Sequence, residues 1–404
     1  MLVSSTYWAG MPFWFRRPPA NASVESLVLR AHDMRQFRAL YWTSTPKPKL
    51  GIVVIHPRVD FHHHYTIPRF VDAGYAVLAA NTRHAGNDTM AEHEEMVLDV
   101  AACVRYLLDK RGIETVLLLG NCGGGSLVAF YQAQARLPPE QRLTRSPGGS
   151  PTYFEGASMP PAHGVMLTAA HRGQGKVLLD AIDASVTDEA DPMSCDRALD
   201  IYDPANGFAE PPTRSSYAPA FVARYREAQL ARVLRLDATA RQLVARHADA
   251  KSPRDKACEP IMVVYRTMAN PAYVDRSIDP SGRDYGSLLS ERPDLMNYAA
   301  LGFARTCTPR AWLSTWSGVS SNADLVANVA SIAEPTLVVH AGRDREIFPG
   351  DLVAVERALG AADKRVVTLD DARHYFEPDV GVDNSRVDAM MDVVTTWIAD
   401  RWSS

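Results

Sequence analysis

The residues of this 404-residue chain best arranged for chemistry are Gly120-Asn121-Cys122-Gly123-Gly124, a cysteine with glycine two positions away on either side. The apolar run Thr115-Val-Leu-Leu-Leu before it reads as a buried strand, and Ser126–Arg136 after it reads as a helix. A nucleophile held in so sharp a strand-to-helix turn is aimed outward at the carboxyl edge of a sheet, and side chains at the glycine positions would collide with neighbouring backbone. The helix N-terminus favours a thiolate, and the Gly123 N–H can face a developing oxyanion. Phosphate binding fits poorly: a P-loop needs Lys after the last glycine, where Ser126 stands, and the dinucleotide pattern G-x-G-x-x-G is unmet. The plainer alternative is a βα turn that buries a small apolar cysteine. That reading suits Cys103, Cys195, Cys258 and Cys307, which are scattered and form no C-x-x-C pair. An unassisted thiol, with pKa about 8.5, is only a few per cent thiolate at neutral pH, so chemistry at Cys122 calls for a histidine partner.

Three further segments matter here: His340-Ala341-Gly342-Arg343-Asp344 with Pro349, Asp370-Asp371-Ala372-Arg373-His374-Tyr375-Phe376, and Asn81-Thr82-Arg83-His84-Ala85-Gly86-Asn87-Asp88. With the cysteine turn they resemble the α/β-hydrolase fold superfamily, over most of the chain apart from residues 137–162 and 172–330. The first is similar to that superfamily's H-G-x-x-D…P stretch, the second to the segment carrying its histidine, and the third to its D-x-R-G-x-G-x-S loop. The order nucleophile, acid, histidine is also the superfamily's. The resemblance implies that Asp344 holds the His374 tautomer and that His374 activates Cys122, with Asp351, Asp370 and Asp371 as less well placed acids. It also implies a second oxyanion donor after the strand ending at His56. The superfamily shows H-G there and this chain has His56-Pro57-Arg58-Val59; Pro57 has no N–H, so the donor falls to Arg58 or Val59. His56, Asn121 and Tyr375 are expected to line the substrate site beside these groups. The loop Asn81–Asp88 is expected to be structural.

Cysteine stands where the superfamily usually has serine, which resembles the turn of dienelactone hydrolases; those are smaller and lack an insertion of this size, so their substrate does not carry over. Polyhydroxyalkanoate synthases also show G-x-C-x-G, but no further stretch here resembles theirs. A tetrahedral intermediate expels thiolate readily, which penalises amines and simple alkoxides as leaving groups and favours activated acyl groups. The leading expectation is hydrolysis of an activated ester, lactone or thioester through an acyl-cysteine, with a small-molecule acyl substrate and no cofactor. Acyl transfer or lactone formation from the same intermediate is the second reading, and a non-catalytic binding protein of the same fold is the third.

Elements that would position these residues alternate along the first part of the chain. Residues 24–44 read as two strands around His32-Asp33, then come Leu50–His56 as a buried strand, a helix over 65–73 and a strand over 75–80. A helix over 92–110 carries Met96, Val97, Val100, Cys103, Val104 and Leu107 at helical spacing. A Pro-, Gly- and Ser-rich loop over 137–162 precedes the strand Gly164–Ala169. The rhythm resumes with a strand over 335–340, a helix over 350–360, a strand over 365–369 and a closing helix over 385–401. The pattern predicts a mostly parallel central sheet flanked by helices, with residues 1–171 and 331–404 as the core and 172–330 as a large, mainly helical cap. Within the cap, 221–248 reads as one long helix, either covering the substrate or solvated with its arginines outward, the second being the reading for each individual arginine.

At 46% hydrophobic and 22% charged residues, the composition supports a packed core rather than a disordered or repetitive chain. A net charge of −4 offers no electrostatic footprint for nucleic acid or an anionic membrane. The N-terminal stretch places Arg16 and Arg17 after its apolar residues and lacks the order of a secretory leader, and no run reaches about 18 apolar residues, so the expectation is a soluble cytoplasmic protein. A homodimer is compatible with the sequence but not specified by it. The run His62-His63-His64 lacks a completing set of Cys or carboxylate ligands, so no metal is expected and a pocket rim or exposed loop is the reading.

Overall fold

In the computed structural model, residues 17–377 and 385–402 are described; the N-terminal stretch read above for a leader lies largely outside them. The backbone forms an eight-stranded sheet in the order β1-β2-β4-β3-β5-β6-β9-β10. Its strands are β1 (Ser23–Arg30), β2 (Gln36–Thr43), β3 (Leu50–His56), β4 (Ala76–Asn81), β5 (Thr115–Asn121), β6 (Gly164–Thr168), β9 (Thr336–Ala341) and β10 (Lys364–Leu369). β7 (Met262–Val263) and β8 (Thr306–Cys307) pair separately, away from the sheet. β2 runs antiparallel to β1 and β4, and every other pairing in the large sheet is parallel.

Parallel strands covered on both faces read as continuous apolar runs because side chains alternate between two buried layers. β3 illustrates this: Ile52 and Val54 enter one hydrophobic cluster, while Val53 and Ile55 enter the other. On the first face pack α1 (Ile67–Asp72) and the closing helix Ser385–Trp402, through Phe70, Met390, Val394 and Ile398. On the second pack α2 (His93–Arg105) and α3 (Gly123–Ala135), through Met96, Val100, Leu127 and Val128, together with the helix Pro349–Ala358 through Val355. The helix predicted over 92–110 continues past Arg105 as one wide turn, Tyr106–Lys110.

Between β6 and β9 the chain is mainly helical and irregular. α4 (Gln174–Ala181) follows β6, and α5 (Pro219–Ala248) is the long helix. The expected outward arginines need correction at Arg232. Its guanidinium is buried, donating from Nε and Nη2 to the Glu189 carboxylate at 2.8 and 2.7 Å and to the Asp183 and Tyr265 carbonyls at 2.8 Å each. A five-donor fork tolerates burial when each arm finds an oxygen, which helical charge pattern alone does not reveal. Phe221, Tyr225 and Val233 of α5 share the hydrophobic cluster that runs down to β5 and contains Cys122. No helix among the described residues is long and apolar enough to cross a membrane.

Candidate active site

β5 ends at Asn121, and the chain turns through Cys122 into α3. Cys122 has φ 54° and ψ −125°, a conformation a side-chain-bearing residue adopts only when its surroundings enforce it. Its N–H reaches the Thr168 and Ala169 carbonyls at 3.2 and 3.1 Å, and its carbonyl accepts from Gly125 at 3.1 Å. The flanking glycines are required by contact. A β-carbon on Gly120 would lie 2.5 Å from the Gly125 α-carbon, and one on Gly124 would lie 2.5 Å from the Ile55 carbonyl oxygen. The turn therefore brings the start of α3 directly against β3 and lifts the Cys122 side chain to the carboxyl edge of the sheet. Gly123 opens α3, so its N–H is among the four that a helix leaves without an intrahelical partner.

Asp344 follows β9 and His374 follows β10, and both are buried. His374 Nδ1 and Asp344 Oδ2 are 2.7 Å apart, while Asp344 Oδ1 accepts the Glu346 and Ile347 N–H groups at 2.8 and 3.2 Å. The carboxylate is thus held from three sides and presents one oxygen to the ring. Asp370 and Asp371 are exposed, and Asp351 is occupied by Arg172 at 2.6 Å and by the Phe348 N–H at 3.0 Å. Of the four candidate acids, Asp344 is the one bonded to His374.

Burial raises the Cys122 thiol, but the positive charge of His374 and hydrogen bonds from His171, His374 and His56 outweigh it and hold the thiol well below its ordinary range. Burial likewise opposes the His374 charge, yet the Asp344 carboxylate and the Cys122 thiolate hold its imidazolium well above the ordinary histidine range. Each group's charge favours the other's, so the two shifts run together toward thiolate and imidazolium. Nε2 of His374 and Nε2 of His56 are buried, and both rings face the Cys122 sulphur without reaching full hydrogen-bond geometry.

The residues expected around this core divide in three ways. His56 comes to the site; burial lowers its pKa, which keeps its ring neutral. Tyr375 packs edge-on against His374, ring centroids 4.4 Å apart. Asn121 is buried in a structural role instead: Nδ2 donates to the Thr168 carbonyl at 2.9 Å and Oδ1 faces His64 Nε2 at 3.4 Å, tying the ends of β5 and β6 to the loop after β3. The Arg58 and Val59 amides, expected to face the oxyanion, both donate to His56 Nδ1 at 3.0 Å. The Arg58 side chain turns away to Asp88, with Nε to Oδ1 at 2.7 Å, and lies over the Trp316 ring.

His62 and His63 fit the expected rim or loop, but His64 is buried, bonded to Thr66 Oγ1 at 2.8 Å, and its pKa is pushed down to about 3 by burial. Arg83 of the Asn81–Asp88 loop joins Asp33 and Asp99, linking the β1–β2 turn to α2. Among the described residues, no group of three or more His, Cys, Asp or Glu side chains is arranged to hold a metal ion.

Two site residues escape the sequence reading. His171 lies just past β6, and Glu346 lies two residues past Asp344. The signal for both was position: each follows a strand's carboxyl end, where this architecture gathers its ligand-facing groups. Glu346 accepts from Tyr273 Oη at 2.6 Å through Oε1, and its Oε2 is buried without a hydrogen-bond partner. Burial pushes its pKa up to about 8. A cavity of about 10 Å³, room for roughly one water, is lined by His171, Asn270, Glu346, Phe348 and others.

Solved structures share this architecture. DcsB, in complex with its substrate analogue, aligns over 95% of this chain and 100% of its own, with 10% identity and a TM-score of 0.50. The α/β hydrolase GrgF from Penicillium sp. sh18 aligns over the same shares with the same identity and TM-score. The strand order, the elbow at Cys122 and these neighbours define an α/β-hydrolase fold. No protein-family model matches the chain, and no curated protein sequence matches it.

Proposed function

We propose that this protein is an enzyme that hydrolyses an activated carboxylic ester, lactone or thioester through an acyl-cysteine intermediate. The observation that carries the reading is a cysteine at a strained elbow, depressed by an imidazolium whose far nitrogen is 2.7 Å from a buried carboxylate. In this reading the Cys122 sulphur attacks the acyl carbon, His374 gives its Nε2 proton to the leaving oxygen or sulphur, and water then attacks the thioester as His374 takes its proton. Asp344 orients the ring and stabilises its charge. A hydrolase name among the structural neighbours is consistent with this reaction class. The likeness of the turn to dienelactone hydrolases belongs to the same proposal, as does the role of residues 172–330 as a cap on a core of 1–171 and 331–404.

One observation favours acyl transfer or lactone formation as the second reading: Cys122 is only 3% exposed, and a site so covered can keep water from the thioester. Intact-protein mass spectrometry after exposure to p-nitrophenyl esters, lactones and thioesters tests both. The expected result is an acyl adduct on Cys122 that disappears with turnover, and its absence together with full loss of activity in Cys122→Ala. Activity that survives Cys122→Ala overturns the reading. Release of free acid identifies hydrolysis, and product carrying an added alcohol or thiol identifies transfer.

A further inference from the structure

We propose that His56 and His171 form a side-chain oxyanion site above Gly123, their Nε2–H groups receiving the negative charge that passes from the Cys122 sulphur to the acyl oxygen. The inference rests on the acyl-cysteine reading and names the groups that hold its intermediate.

Backbone hydrogen bonds set both rings. The Arg58 and Val59 N–H groups donate to His56 Nδ1 at 3.0 Å, and the Gly173 N–H donates to His171 Nδ1 at 3.0 Å. A ring nitrogen that accepts from an N–H carries no proton, so in each imidazole the proton sits on Nε2. Both Nε2 atoms lead to one place. A β-carbon on Gly123 would lie 3.0 Å from His56 Nε2, 3.1 Å from His171 Nε2 and 2.4 Å from Gln174 Nε2. Three nitrogens from the end of β3, the loop after β6 and the first turn of α4 thus converge over the residue that follows the nucleophile. The His56 Nε2 is buried and reaches the Cys122 sulphur without full hydrogen-bond geometry. A buried donor so poorly aligned is under-satisfied, and a transient anion at this position supplies the acceptor it lacks.

The amides that would ordinarily face the oxyanion from the loop after β3 are spent on the far side of the His56 ring. They position the imidazole, and the imidazole makes the contact. In the first step the C–S bond forms and the carbonyl π pair moves onto oxygen, between His56, His171 and the Gly123 N–H. Collapse restores the carbonyl and breaks the bond to the leaving group, which takes the His374 proton. Attack of water on the thioester repeats the sequence, and the second collapse returns the sulphur as thiolate. Preorganised donors in a buried site need no reorganisation as charge moves from sulphur to oxygen.

The rival role for these histidines is to stabilise the resting thiolate alone. Alkylation by iodoacetamide separates the two, because it consumes the thiolate and forms no oxyanion. At a pH where Cys122 is fully ionised in each variant, His56→Phe and His171→Phe are expected to slow the p-nitrophenol burst from p-nitrophenyl butyrate by about 10²–10³-fold. The alkylation rate should stay close to wild type, and His171→Gln, which restores an N–H, should recover part of the burst. Equal losses in both rates, or an undiminished burst, overturn the proposal. Should the Phe variants not fold, the wild-type protein with an alkyl trifluoromethyl ketone gives a second reading by 19F NMR. A Cys122 adduct ionised at pH values where the free hemithioketal is protonated is expected. An adduct that titrates like the free compound overturns the oxyanion site while leaving the acyl-cysteine reading intact, and no adduct at all overturns both.

Discussion

Glu346 is a carboxylic acid beside an ion pair that already contains one carboxylate. Its proton is retained to about pH 8 because burial disfavours its charge; the Tyr273 hydrogen bond opposes that shift, while the nearby Asp344 adds to it. The unfolded chain releases the same proton near its ordinary value of 4.5. Between those two values the unfolded state binds fewer protons than the folded one, so this group's contribution to stability is present at low pH and is lost as pH rises through about 8. Glu346→Gln keeps an acceptor for Tyr273 and removes the ionisation. Melting curves at pH 5.5 and pH 8.5 should show the variant gaining on wild type by roughly 2–5 °C at the higher pH. A constant difference between the two would refute the assignment.

Glu346 and His171 were illegible in the sequence for the same reason: neither belongs to a motif, and their roles arise from where β9 and β6 end relative to Cys122. The bonded pair Asp344 and His374 and the turn at Cys122 were legible as positions because each sits in a segment whose spacing to a strand is itself a pattern. Arg58 and Val59 were placed correctly after β3. Yet the direction of their amides depends on the His56 ring turning back over them, which no spacing encodes.

At the scale of elements, the site depends on how closely α3 can approach β3. The glycines after Cys122 set that distance, and the constraint at Gly124 is the most direct because the opposing atom is the Ile55 carbonyl oxygen of a central strand. Backbone there cannot yield as a flexible side chain could. Gly124→Ala should cost about 2 kcal/mol in urea unfolding, through displacement of the helix start from the sheet. It should also slow acylation, since the same shift moves the Cys122 sulphur and the Gly123 N–H. An unchanged midpoint would mean that α3 slides without penalty. The sheet strands were readable because two buried faces leave little but apolar residues in them. Between β6 and β9 the long helix α5 was readable, and the irregular segments around it were not. Their order comes from polar burial: Arg266 bonds Asp183 at 2.9 Å and Asn297 bonds the same carboxylate at 2.7 Å. Partners 83 and 114 positions away from Asp183 leave no periodic trace.

For the whole molecule, the consequence is a nucleophile under cover. One hydrophobic cluster runs from α1 and the closing helix through Cys122 to Phe221, Tyr225 and Trp312, so the residues between β6 and β9 pack on the sheet's carboxyl end as part of the same interior. Cys122 is 3% exposed beneath this layer, so the size of a reagent bears on its access to the sulphur. The other cysteines supply an internal standard: Cys258 is exposed, while Cys122 is buried with its thiol held below its ordinary range. A small alkylating agent should therefore modify Cys122 faster than Cys258, because thiolate content decides the rate once access is adequate. A bulky reagent such as fluorescein maleimide should reverse the order, labelling Cys258 and sparing Cys122. Site-resolved mass spectrometry after brief exposure to each reagent reads both rates in the same molecule. If both reagents modify Cys122 first, the cover is open in solution and substrate entry is not gated; if both modify Cys258 first, the activation of Cys122 is at fault instead. The predicted reversal requires a reactive sulphur and a closed layer together, because either one alone leaves the two reagents with the same order of labelling.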